Sequence, residues 1–66
     1  MITLDQQIIS VKREIRMREH VYPKWVNAGK MELDNAEHEI AAMKAVLETL
    51  ERARNSALIT RMLDGE

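Results

Sequence analysis

Cysteine and phenylalanine are absent from this sequence, proline, tryptophan and tyrosine occur once each, and glycine occurs twice. Without cysteine there are no disulfides and no thiolate zinc sites. With one proline and two glycines the chain has few punctuation marks, so long uninterrupted elements are expected. No apolar run approaches the ~20 residues that cross a bilayer. The first residues show no basic stretch leading into an apolar core, so no signal peptide is expected. These absences point to a cytoplasmic protein without a membrane role. Gly29 stands alone rather than in a phosphate-binding loop, and β-branched residues never recur with a period of two.

What the sequence does contain is helix-forming. Hydrophobic residues make up 45% and charged residues 32%, against 3% aromatics. Ala, Leu, Glu, Lys, Arg and Met dominate, and all propagate helices well. The expected fold is all-α: an antiparallel helical hairpin over residues 1–66, with helix 3–22, a short helical corner 23–31, helix 32–62 and a frayed tail 63–66. Thr3-Leu4-Asp5-Gln6 reads as a capping box. Leu4, Ile8, Val11, Ile15, Arg18 and Tyr22 then form one stripe at alternating steps of four and three. Glu14 is placed to pair with Arg18 one turn on.

Pro23 lacks an N–H and biases Tyr22 away from the α region, so the first helix is expected to stop there. Gly29 suits a left-handed helix cap. In the second helix Leu33, Ala36, Ile40, Met43, Leu47, Leu50, Arg54 and Ala57 keep the rhythm. Arg54-Asn55-Ser56 is a soft spot, and a break there would let residues 57–63 fold back as a third helix.

The spacing also argues for a second copy. Helix one spans roughly 27 Å and helix two roughly 45 Å at ~1.5 Å per residue. The overhang carries Leu58, Ile59, Met62 and Leu63. Val46 and Ala53 widen the stripe on one side, and Leu33 and Leu58 widen it on the other, to roughly 160° of the helix surface. A chain this short rarely stabilises a lone core by more than ~3–5 kcal/mol. The expectation is therefore a homodimer forming a four-helix bundle. Leu33, Ile40, Met43, Val46, Leu47, Leu50 and Leu58 are its core and dimer residues.

The chain offers little chemistry. No histidine stands at helical neighbour spacing to Thr3, Ser10, Tyr22, Thr49, Ser56 or Thr60, so an activated hydroxyl is not expected and neither is an enzyme. Asp34 and His38 share a face, but Asn35 takes the place where a Glu-x-x-His metal motif needs its carboxylate. No metal and no cofactor is expected.

Binding is the remaining class. Residues 1–31 carry an excess of positive charge and residues 32–66 an excess of negative charge, which suits two helices side by side. Arg13 and Arg16 share a face with Ile2, Ile9 and His20, away from the apolar stripe. Ile9, Arg13, Arg16 and His20, with Lys24 and Trp25 at the corner, are the expected partner-binding residues. Lys12, Arg13, Arg16 and Arg18 are the alternative, a weak nucleic-acid contact that salt would dissolve. Tyr22 and Trp25 read either as a plug for the open end of a bundle or as anchors for a partner.

The pattern Tyr22-Pro23, Trp25-Val26, Gly29-Lys30-Met31, Ala36, Glu39-Ile40, Met43 and Val46 to Leu50 resembles a group of small uncharacterised helical proteins encoded by phages and prophages. The likeness spans roughly residues 4–52. It implies an accessory role inside a bacterial host cell, with a host or phage protein as partner, and implies no activity.

Overall fold

The N-terminal cap forms as the residue order requires. The Thr3 hydroxyl accepts from the Gln6 amide at 3.1 Å, and the Gln6 side chain accepts from the Thr3 amide at 2.8 Å. Two donors that the first turn leaves orphaned are thus satisfied, and Asp5 adds a negative charge where the helix dipole favours it. In the computed structural model, which describes residues 1–64, this cap starts α1, Leu4–Asn27. A second helix, α2, spans Leu33–Asp64. They are joined by a tight turn and packed as an antiparallel hairpin.

Pro23 does not end α1. The helix runs through it for four more residues. The expected boundary at Tyr22 and the separate corner 23–31 are corrected accordingly. Proline removes one intrahelical hydrogen bond and crowds the preceding turn. Here packing on both sides of it offsets that cost. Tyr22 stacks on Trp25 with ring centroids 5.7 Å apart, and Val26 is half-buried one turn further on. Lys24 reaches His20 at 3.2 Å across the same turn.

The helix ends instead in a Schellman motif. The Lys30 amide donates to the Trp25 carbonyl at 2.8 Å and the Gly29 amide to Val26 at 3.1 Å. Such a closure needs a left-handed residue, and Gly29 supplies it with φ of 72°. The Ala36 amide then donates to Glu32 at 3.0 Å as α2 begins.

Ion pairs set the register. Asp5 meets Arg54 at 3.4 Å, Lys12 meets Glu51 at 3.9 Å, Glu19 meets Lys44 at 3.1 Å, and Arg18 meets Glu39 at 3.5 Å. Leu4 therefore lies near residue 56 of α2, and everything beyond about 57 overhangs. Residues 57–63 continue α2 without a break at Asn55-Ser56, so the third-helix alternative is not adopted. Leu63 and Asp64 are helical too, so the second helix outlasts the expected end at 62; Gly65 and Glu66, the rest of the expected tail, lie outside the described residues.

The core is thin. Only Ile8, Ile15 and Ala36 are buried among the described residues. Ile40, Met43, Leu47 and Leu50 are half-buried against α1, whereas Leu33, Val46 and Leu58 are exposed. The rod measures 57 × 20 × 15 Å with a radius of gyration of 16.1 Å. A compact chain of this length would have about 11 Å.

Candidate interaction surface

Steps of seven residues bring a helix back nearly to the same side, so the ion pairs can be used to label the two flanks of the hairpin. One flank follows Asp5, Lys12 and Glu19 on α1 and Lys44, Glu51 and Leu58 on α2. All its charges on α1 are neutralised across the helix seam, by Arg54, Glu51 and Lys44 respectively. The opposite flank follows Leu4, Val11, Arg18 and Trp25 on α1, and Glu39, Val46, Ala53 and Thr60 on α2. Its only charges sit together near the turn. Arg18 Nε donates to Glu14 at 2.8 Å, and its Nη1 donates to the Glu39 carbonyl at 2.9 Å. The Glu14 hydrogen bond raises the Arg18 pKa further above its ordinary value, against a smaller opposing effect of desolvation.

From Val46 to Thr60 this second flank carries no ionisable side chain. Val46 is 42% exposed. The Thr49 hydroxyl donates back to the Ala45 carbonyl at 3.2 Å, so its polar hydrogen is already satisfied by its own helix.

The outer face of α1 is different again. Ile9 is 62% exposed, and Arg13, Arg16 and His20 are exposed around it. Among the described residues Arg13 and Arg16 make no ion pair, while Lys12 and Arg18 are engaged with Glu51, Glu14 and Glu39. Lys24 joins this strip through His20. Of the six expected partner-binding residues, five therefore share one face.

Trp25 is the exception. It lies nine residues beyond Arg16, half a turn out of phase, and belongs to the second flank. It is 45% exposed, so it is not a buried plug; Tyr22, beneath it, is half-buried. From the sequence, Trp25 stands beside Lys24 at the corner expected after Pro23. A helix continuous through Pro23 keeps the two apart.

Two hollows mark the ends of the rod. Near the turn, Tyr22, Pro23, Val26, Leu33, Ala36 and Ile40 line an apolar pocket of about 220 Å³. At the open end, Asp5, Arg54, Ala57, Leu58, Thr60, Arg61 and Asp64 line a groove of about 600 Å³ where α2 runs on past the start of α1. Sequence spacing found the overhang but not the groove, because only the register shows which face of residues 57–64 lies over the missing turns of α1.

Among the described residues no cluster of His, Asp and Glu has the geometry to hold a metal ion, and no helix is long and apolar enough to cross a membrane. No family model, curated protein or solved structure matches the chain.

Proposed function

We propose that the hairpin is one protomer of a homodimeric four-helix bundle that acts by binding a protein partner, as an accessory protein of phage origin working in the cytoplasm of a bacterial host. The observation that carries the assembly is area. The chain exposes 5337 Å². A compact monomer of 7.7 kDa exposes about 4,300 Å². The excess of about 1,000 Å² compares with the ~800 Å² that each partner buries in a standard interface. Leu58, Ile59, Met62 and Leu63 contribute to it, with Met62 and Leu63 each 77% exposed.

The partner-binding reading rests on the outer face of α1. An exposed Ile9 flanked by Arg13 and Arg16, which pair with no carboxylate among the described residues, suits a protein surface that is apolar at its centre and acidic at its rim. The nucleic-acid alternative is less well supported. Lys12 and Arg18 are already engaged by carboxylates, which leaves Arg13 and Arg16 as the cations for phosphates. Two such contacts give a weak interaction that salt lowers further, by about tenfold between 50 and 200 mM.

The test is affinity capture from host lysate with the tagged chain and with Arg13→Glu/Arg16→Glu. The expected result is one protein retained by the parent through a high-salt wash and lost by the variant, while both sediment alike. Recovery of nucleic acid alone, released by salt, would replace this reading with the alternative.

A further inference from the structure

We infer that the second copy docks antiparallel on the flank of Val11, Val46 and Ala53, and that Trp25 of each protomer seats in the open-end groove of the other. This rests on the dimer reading above and says where and how the two chains meet.

Four observations converge. First, the two flanks are unequal. The flank of Lys12, Glu19, Lys44 and Glu51 is closed by ion pairs that bridge the seam, and burying those charges is costly. The opposite flank has no ionisable group along its middle, at Val46, Ala53 and Thr60, and interface centres are depleted in charge. Second, its side chains are small. Val46, Thr49, Ala53 and Ala57 let a facing helix approach closely, and the Thr49 hydroxyl is satisfied internally. Third, Trp25 stands exposed on this flank at the turn end of the rod. The groove at the open end lies over the seam, with Ala57, Thr60 and Arg61 on this flank's side of it and Asp5, Arg54 and Leu58 on the other. Fourth, α1 stops where α2 continues, so a quadrant of the bundle is vacant at the open end.

One two-fold axis perpendicular to the rod, near Glu48 of α2, satisfies all four. It carries the turn end of one protomer onto the open end of the other. Trp25 then arrives at the level of residues 60–61 of the partner helix, in the quadrant that α1 leaves empty. The groove of about 600 Å³ has room for an indole, and Arg61 offers it a cation–π partner. Such an interface is isologous: the same donor and acceptor features serve both chains. It also leaves the Ile9–Arg13–Arg16–His20 face free on the outside of the bundle.

The sole Trp makes the test direct. Sedimentation equilibrium and Trp emission are followed on dilution of the full chain from 200 µM to 0.2 µM (concentrations chosen on the order of typical dimer constants). The expected result is a dimer whose emission is blue-shifted and shielded from acrylamide, reverting as the dimer dissociates. Ala57→Glu places a carboxylate in the groove, and Val46→Glu, away from the seam ion pairs, charges the flank. Each is expected to weaken dimerisation at least tenfold with helicity retained by circular dichroism. Lys44→Ala, on the ion-paired flank, is expected to leave the dimer intact. A parent chain that stays monomeric at 200 µM overturns the dimer reading itself. A dimer whose Trp emission ignores dilution, or which tolerates both Ala57→Glu and Val46→Glu, keeps that reading and overturns this docking.

Discussion

In the stripe of α1, Arg18 occupies a step that spacing assigns to an apolar residue. Its guanidinium holds Glu14 and Glu39 and lies 5.8 Å from the Tyr22 ring centroid. Its stem covers the edge of the seam. Because its pKa is raised rather than lowered, its stabilising contribution is present throughout the neutral range and is lost only as pH climbs through the strongly alkaline range. Arg18→Ala is expected to cost about 1–2 kcal/mol through lost charged hydrogen bonds and packing, read as a lower urea midpoint. An unchanged midpoint would mean the contacts are surface decoration. Gly29 is the other residue whose identity matters by itself. A Cβ there meets nothing within 4 Å, so the objection to a side chain is its φ of 72° alone. Gly29→Ala should therefore cost about 1 kcal/mol, and Gly29→Asn, which tolerates the left-handed region, distinctly less; equal losses would point to a cause other than backbone strain.

At the scale of the element, α1 is a helix that tolerates a proline near its end because its last turns are held from outside. Tyr22 and Val26 line one hollow with Leu33, Ala36 and Ile40 of α2, and the Schellman turn satisfies the closing carbonyls. Restoring the missing hydrogen bond with Pro23→Ala should raise stability by about 2 kcal/mol, the ~3 kcal/mol helix penalty less the ~1 kcal/mol of entropy that proline removes from the unfolded chain. Differential scanning calorimetry reads this as a higher Tm, and a lower one would show that the ring's own packing matters more than its backbone cost. At the other end, Thr3→Ala removes the cap acceptor and should cost about 1 kcal/mol. For α2, apolar and small residues lie on several sides, which suits a helix with more than one neighbour.

The whole molecule is one layer of two helices, 57 Å long, with three buried residues among those described. Stability of such a rod should depend on its concentration. The expected outcome is a Tm that rises with protein concentration between about 1 and 100 µM, as mass action requires when folding and association are linked. A Tm independent of concentration would argue for a chain that folds alone. The hairpin, its two stripes, the capping box and the left-handed glycine were all legible from residue order, because each depends on neighbours within one or two helical turns. The helix end was misread at Pro23, since local propensity does not register the tertiary contacts that hold the turns after it.

Residue order by itself determined the two helices, the glycine cap and the excess length of the second, for these are properties of spacing and backbone preference. Only the tertiary structure decided the register, and with it which charges are neutralised, which flank is left without them, and that Trp25 and the groove lie at opposite ends of the rod. Those depend on the phase of one helix against another across the seam, and a continuous turn through Pro23 rotates every residue beyond it.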